Sequence, residues 1–357
     1  METIVGNRKQ MEEDDEEIKA RAQIWKHMYG FAETMVLRCA LQLNIPDIIH
    51  KHGPMTLPEL ASKLPLGSTN IDRLHHVMRY LVHMNLFTSR PSETSKVITY
   101  GQTAASKLLL KDHENSLCPY AMLQTHPEAF SMWAHIVESL DGSKAYWDST
   151  YGESLYQKIE NEPAHMKMVN DAMTSHTRSI ARAVVSGLAR EQVLNGVGSL
   201  MDVGGNSGEA AKAIKDGFPH VKCSVMDLAH IIENVPRKPD LDFVSGDMFA
   251  SVPNADVVFA KSVLHNYEDV DCLKILIKCK EALPSLGGKL VLVEIVLDAE
   301  NLPELAFARL GMDMEMICMG GKERTKQEWG DILHKAGFSH HKIIPIMAIE
   351  SIIVAYP

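Results

Sequence analysis

The chain has 357 residues, 45% of them hydrophobic, and a formal net charge of -10. That length allows two domains with a sizeable core, and the composition excludes a disordered or fibrous chain. The acidic balance argues against nucleic acid as a partner, because phosphates demand a basic face. No apolar run reaches the length of a membrane span and no signal peptide opens the chain. A cytoplasmic protein with no membrane partner is therefore expected. The cysteines at positions 39, 118, 223, 272, 279 and 318 lack C-x-x-C spacing and sit mostly in apolar periodic runs, so they read as reduced core thiols. No cluster of His, Cys and carboxylates has metal-ligand spacing, so no metal is expected.

Residues 1–17 are polar and carry the run Glu12 to Glu17, which reads as a solvated acidic tail. From Ile18 to Leu43 apolar residues recur at helical spacing, among them Trp25, Met28, Phe31 and Met35. That is more apolar surface than a lone amphipathic helix needs, and it predicts an interface. Thr56-Leu57-Pro58-Glu59 is a capping box that opens a second helix, running through Leu60 and Leu64. Asn70 or Asp72 opens a third, and a strand follows at Lys96–Tyr100 after a turn at Arg90-Pro91-Ser92. Three helices and a hairpin over 18–112 make a winged-helix pattern. The third helix carries only a modest positive count in an acidic chain, so dimerisation and substrate covering fit better than DNA binding. Residues 113–190 read as a run of helices broken near Pro119, Gly142 and Pro163, a helical substrate-pocket segment. Trp133, Trp147, Met166, Met168 and Met173 fall along it. Residues of these types at helical spacing are more often core than ligand contacts, yet 20 methionines in the chain also allow a Met-lined pocket for a flat aromatic ligand.

The rest of the chain, 191–357, alternates strands with helices and ends in a hairpin, which predicts a Rossmann-like, mostly parallel α/β sheet. Its first strand and loop are Leu200-Met201-Asp202-Val203-Gly204-Gly205-Asn206-Ser207-Gly208. Glycines there let a ligand approach bare backbone, and the next helix offers free N–H groups. Asp227 ends the second strand about twenty residues later, where an acid accepts ribose hydroxyls. The loop lacks a full G-x-G-x-x-G and a Walker lysine. A nucleoside without phosphates fits better than a dinucleotide, and S-adenosylmethionine is the common one. His265 follows the fourth strand at the same sheet edge. Glu294 in the fifth strand or Glu323 after a long helix would hold its imidazole in one tautomer. Each of the three also has a plain structural reading, as a satisfied core histidine or a loop acid paired with a base.

The glycine loop, Asp227-Leu228-Ala229-His230, Gly246-Asp247-Met248-Phe249, Lys261 through Tyr267 and Gly320 through Thr325 together resemble the plant small-molecule O-methyltransferases that use S-adenosylmethionine without a metal. The runs Trp25 to Gln42, Tyr80 to Met84 and His341 to Tyr356 are most similar to the benzylisoquinoline alkaloid enzymes of the norcoclaurine 6-O-methyltransferase type. The resemblance implies that His265 is the general base, flanked by Glu294 and Glu323. It implies that Gly204 and its loop hold the methionine moiety, Asp227 the ribose, and Asp247 and Met248 the adenine. Lys261 would close the cofactor site, Thr177 would contact the carboxylate, and Met173 and His176 would line a phenolic pocket.

The implied reaction is methylation of a phenolic hydroxyl on an alkaloid, by a homodimer or a heterodimer with a related methyltransferase. A phenylpropanoid or flavonoid O-methyltransferase, or a weakly catalytic partner subunit, is the alternative. Three stretches depart from the family pattern. Asn206-Ser207 stand for Gly-Thr, Asn266-Tyr267 for Asp-Trp, and Met314 to Met319 is one residue short and lacks an asparagine that contacts substrate. The second leaves the orientation of the base open.

Overall fold

A computed structural model describes residues 2–92, 96–140, 152, 162–299 and 302–357. Its contacts separate after His113, giving units Met1–His113 and Glu114–Pro357. The first unit begins with α1 (Glu2–Met28), so the acidic run expected as a tail is helical. No proline interrupts it, and Lys19 and Arg21 each reach an acid one turn back, Asp15 and Glu17, at 2.5 Å. The single helix expected over Ile18–Leu43 is in fact two. Tyr29, at φ -103° and ψ 6°, leaves helical geometry, and α2 (Gly30–Gln42) restarts on a glycine, a weak helix former. Ile24, Trp25, Met28, Tyr29 and Phe31 around this break are all more than half exposed.

A short helix that periodicity did not single out follows, α3 (Ile45–His52), entered through left-handed Asn44 with Pro46 in its first turn. In α4 (Leu57–Ala61) the Thr56 N–H and hydroxyl both donate to Glu59 Oε2 at 2.8 Å, the expected capping box. Asn70 caps α5 (Ile71–His83) by accepting the Arg73 N–H at 3.0 Å, which decides between the two expected caps. The antiparallel hairpin β1 (Phe87–Pro91) and β2 (Ile98–Gln102) and the single turn α6 (Ala104–Lys107) complete the unit. Ile45, Leu60, Met78, Leu81, Phe87 and Tyr100 form its core.

The second unit opens with α7 (Cys118–Gln124), α8 (Pro127–Ser131) and α9 (Ile136–Ser139), then the 28-residue α10 (Pro163–Arg190). Trp147 and the expected break at Gly142 lie outside the described residues. Strands and helices then alternate: β3 (Ser199–Val203), α11 (Glu209–Gly217), β4 (Lys222–Asp227), α12 (Ala229–Asn234), β5 (Asp242–Ser245), β6 (Val257–Lys261), α13 (Asp269–Glu281), β7 (Lys289–Ile295). The chain finishes with α14 (Ala306–Met319), α15 (Lys326–Lys335), β8 (His340–Pro345) and β9 (Glu350–Tyr356).

The sheet order is β5-β4-β3-β6-β7-β9-β8, with β9 antiparallel to both neighbours. Strand residues are buried on both faces, one by a cluster around Val258, Leu276 and Trp329, the other by one around Leu188, Phe259 and Val354. The connection order reverses at β3, between β4 and β6, so a crevice forms beyond the carboxyl ends of these strands. Among the described residues no helix is long and apolar enough to cross a membrane.

Trp329 on α15 is fully buried, and its Nε1 donates to the Ile295 carbonyl at 3.1 Å. Trp329→Ala should lower stability by about 3–5 kcal/mol, the usual cost of emptying an aromatic core site. Urea unfolding followed by circular dichroism measures it.

Candidate active site

The apolar run of β3 ends at Val203, and Gly204 turns the chain with a φ of 69°. Its N–H donates to the Met226 carbonyl at 2.8 Å, and a Cβ there would lie 2.8 Å from Val263 Cγ2. At Gly205 a Cβ would meet the Asp202 carboxyl at 2.7 Å. Bare backbone is thus required at both positions. Asn206 takes the left-handed conformation (φ 47°), which asparagine tolerates better than other side chains. Its N–H donates to Asp227 Oδ2 at 2.9 Å and its Nδ2 to Asn170 Oδ1 on α10 at 2.9 Å. The substitution therefore keeps the turn and ties it to the long helix.

Asp227 ends β4 with Oδ1 on the Leu228 N–H at 2.8 Å and Oδ2 on Asn206. Each oxygen retains capacity for a second donor. Burial raises this carboxyl above its ordinary range, against the two N–H groups. Asp247, in the loop after β5, accepts the Phe249 N–H at 2.9 Å, with Met248 beside it. Lys261 ends β6 with Nζ on Ser262 Oγ at 3.1 Å. Burial lowers its ammonium pKa, while Glu350, Glu294 and Asp202 hold the charge in place.

His265 sits in the single turn after β6, buried, with Nδ1 2.7 Å from Glu323 Oε1. Burial disfavours the imidazolium, but the Glu323 hydrogen bond and the Glu294 and Glu323 charges outweigh it, so the pKa lies above its ordinary value. Glu294 of β7 is committed elsewhere: its Oε1 accepts the Val263 and Leu264 N–H groups at 3.0 and 2.9 Å. The two glutamates therefore divide the work, Glu323 on the ring and Glu294 on the backbone that carries it.

The loop bearing Glu323 is pressed against this turn. A Cβ on Gly321 would fall 2.0 Å from the His265 carbonyl oxygen, which accepts the Lys322 N–H at 2.9 Å. Fully buried Arg324 donates to Asp269 Oδ1 from Nε and Nη2 at 3.0 and 2.8 Å, and to the Tyr267 carbonyl at 2.9 Å. Asn266 Nδ2 donates to the Val263 carbonyl at 3.2 Å, and the Tyr267 ring meets Phe249 edge-on at 5.4 Å. The unusual Asn266-Tyr267 pair thus braces the turn, and Glu323 orients the imidazole.

Ligand atoms of His265, Glu294 and Glu323 lie within 4.8 Å of one another, a donor set that a divalent ion would accept. Spacing along the sequence did not reveal it, because the three come from a turn, a strand and a loop. The set is largely occupied already, by the ring hydrogen bond and the two backbone N–H groups.

One cavity of about 610 Å³ joins these features. It is lined by Gly204, Asp227, Asp247, Met248, Lys261, His265 and Glu294, and by Met173, His176 and Thr177 of α10. Glu323 stands behind His265. The Thr177 hydroxyl donates to the Met173 carbonyl at 2.8 Å, so it presents lone pairs to the cavity rather than its proton. His176 stacks on Tyr120 with centroids 4.7 Å apart, and its Nε2 is 3.1 Å from Glu350 Oε1. Met132, Met168, Met312, Met316 and Met319 also line the cavity, whereas Trp133 packs against Met132 and Cys318.

Sequence reasoning missed Asp202, Glu350, Tyr120 and Glu315, all on the wall. Burial pushes Asp202 up to about 7, with the Ala211 N–H and Lys261 favouring its charge and Asp227 opposing it. An acid inside an otherwise apolar strand was the available signal. Glu350 starts β9; burial opposes its charge, yet His176 and Lys261 hold its carboxyl below the ordinary range.

Comparison with known proteins agrees with this architecture. Residues 25–112 match the O-methyltransferase dimerisation domain, and residues 133–339 match the O-methyltransferase domain. Columbamine O-methyltransferase of Coptis japonica is 61% identical over 344 residues, covering 96% of this chain and 98% of that one. The (RS)-norcoclaurine 6-O-methyltransferase of Coptis japonica is 38% identical, covering 97% of this chain and 100% of that one. In fold, the chain is similar to human N-acetylserotonin methyltransferase, solved in complex with SAM, with a TM-score of 0.81 at 21% identity, over 94% of this chain and 97% of that one. The chain belongs to the O-methyltransferase family, with a dimerisation domain ahead of its methyltransferase domain.

Proposed function

We propose that the enzyme moves the methyl group of S-adenosylmethionine to a phenolic hydroxyl of a benzylisoquinoline-type alkaloid, with His265 as the general base. The observation that carries this reading is the 2.7 Å bond between His265 Nδ1 and Glu323, in the same cavity as the glycine loop. Similarity to the columbamine and norcoclaurine enzymes supports the substrate class.

The cavity suits S-adenosylmethionine: a side chain at Gly204 or Gly205 would collide with Val263 or Asp202 and displace the loop that lines it, and both Asp227 oxygens have acceptor capacity left. When bound, that molecule supplies a methyl group on a positively charged sulfur. Asp227 would accept the ribose hydroxyls, and Asp247 and Met248 would hold the adenine. The Gly204 loop would lie along the methionine moiety, with Lys261 closing that side next to Thr177. Met173 and His176, backed by Tyr120, would wall the phenol.

A free phenol has a pKa near ~10 and imidazole one near ~6.5, so complete prior deprotonation costs roughly 5 kcal/mol. His265 Nε2 takes the proton as the phenol oxygen attacks, which avoids much of that cost. Nδ1, donating to Glu323, keeps the lone pair of Nε2 aimed outward. Holding the oxygen in line within a closed cavity supplies the rest.

The enzyme is oligomeric through its dimerisation domain, and the exposed surface of α1 and α2 fits a homodimer. A cytoplasmic location suits cysteines that are all free thiols.

His265→Ala should lower turnover by roughly 10² to 10⁴, and chelators should leave the wild-type rate unchanged. Because the neutral imidazole is the active form and its pKa is raised, the acid limb of the kcat/KM profile should have its midpoint above the ordinary histidine value. Removing the charge with Glu323→Gln should move that midpoint to lower pH. Near wild-type turnover in His265→Ala, or a rate restored only by added Mg²⁺, overturns the mechanism.

Asp227→Ala should weaken S-adenosylhomocysteine binding by about 2–3 kcal/mol, the loss of charge-assisted hydrogen bonds. Calorimetry on the folded variant measures this, and unchanged affinity removes Asp227 from the site.

Light scattering should find a dimer of the chain alone, and Trp25→Glu with Phe31→Glu should yield monomers. A substrate methylated only on co-expression with a related methyltransferase would identify a heterodimer instead.

A further inference from the structure

Helix α14 turns Met312, Glu315, Met316 and Met319 toward the cavity. Glu315 is the acid among these methionines. Its side chain is hydrogen-bonded to that of Gln124 on α7, and among the described residues it forms no ion pair with a lysine, arginine or histidine. Among the described residues, the other charged or titratable groups that face it are Tyr120 on α7, Cys318 one turn further along α14, His265 in the turn after β6, and Glu323 behind that histidine. His265 is already matched by Glu323 at 2.7 Å. Burial takes the Glu315 carboxyl up to about 7, with Gln124 and His265 favouring the charge and Glu323 opposing it.

The cavity as a whole leans the same way. Among its described lining residues are eight carboxylates, one lysine and no arginine. A carboxylate kept out of water is costly unless a positive charge comes beside it. Nothing in the first-described mechanism uses Glu315: the base is His265, and the nucleoside contacts lie on the strand ends. The methionines around it are polarisable surfaces suited to the faces and edges of aromatic rings. A ring system seated between them, with its phenol at His265, places other ring atoms within range of the Glu315 carboxylate.

We propose that Glu315 is a specificity-determining counter-charge for a positively charged ring nitrogen of the substrate, so that the enzyme selects cationic alkaloids over neutral phenols of the same outline. The inference rests on the alkaloid reading above and narrows it. A neutral phenol donating a hydrogen bond to Glu315 is the competing occupant, and charge separates the two.

Two probes decide it: a phenolic N-methylisoquinolinium and the methylnaphthol of the same shape. Calorimetry on enzyme saturated with S-adenosylhomocysteine gives their affinities, and labelled S-adenosylmethionine gives their methylation. The wild type should bind the cation about 10- to 100-fold more tightly than the naphthol, the usual range for a desolvated charge contact. Glu315→Gln, which keeps the shape and the amide contact, should bring that ratio down to near one. Glu315→Asp, which restores the charge, should recover part of it. Titration with S-adenosylhomocysteine verifies that each variant is folded. Equal wild-type affinities, failure to bind either probe, or a Gln variant weakened equally for both overturns the proposal. Glu315-dependent selection of the cation with neither probe methylated upholds the counter-charge and overturns alkaloid methylation instead.

Discussion

The hydrogen bond between His265 and Glu323 joins positions 58 residues apart, and it exists only because two backbones touch. Gly321 is the point of contact: any side chain there would overlap the His265 carbonyl. Once the loop is seated, Lys322 donates to that carbonyl, and Arg324 reaches under the turn to the Tyr267 carbonyl and Asp269. Glu294 grips the same turn from the strand side through two backbone N–H groups. Four contacts thus fix a five-residue turn, and the imidazole has little freedom except to exchange a proton. An imidazole held this way is oriented by side-chain and backbone contacts of the chain itself.

The same arrangement sets an electrostatic conflict. Asp202, Glu294, Glu315 and Glu350 all border the cavity, and Lys261 is the lysine set against them. Such a surface draws positively charged molecules, which is useful when the methyl donor carries a sulfonium. Yet the fields of Glu294 and Glu323 also raise the His265 pKa, so less of the imidazole is neutral as pH falls. Burial works against that rise. The balance between burial and nearby acids therefore sets how much of the imidazole is neutral.

Some of this could be read along the chain and some could not. The glycine loop, Asp227 and His265 were legible because each lies at the end of an apolar strand, where local pattern and topology coincide. The capping box at Thr56 and the cap at Asn70 were legible for the same local reason. The helical acidic run and the break at Tyr29 were not: composition favours solvation for the first, and an apolar periodicity runs through the second. Short α3 escaped a search for longer periodic runs, although Asn44 and Pro46 mark its start. Arg324, Glu350 and Glu315 acquire meaning only from partners distant in sequence, so no spacing rule finds them. The contact of Thr177 with a carboxylate came from the resemblance alone, and its hydroxyl donates to the Met173 carbonyl of its own helix.

The cavity wall has two kinds of material. Strand ends and the tight turns after them carry Asp227, Lys261, His265 and Glu294; the first two and the last are paired into the sheet, and the turn bearing His265 is tied to Glu294 through the Val263 and Leu264 N–H groups. The opposite material comes from α7, α10 and α14, which contribute Tyr120, Met168, Met173, Met312 and Met316. Methionine adapts to the shape of its neighbour at little cost, so those helices can accept rings of different outline without disturbing the base. Adaptable walls discriminate poorly by shape, because an extra or missing methylene changes binding by only about 1–3 kcal/mol. A fixed charge among them discriminates by a rule that flexibility does not blur. Selectivity in such a cavity would therefore reside in its polar groups, above all where a carboxylate stands among thioethers.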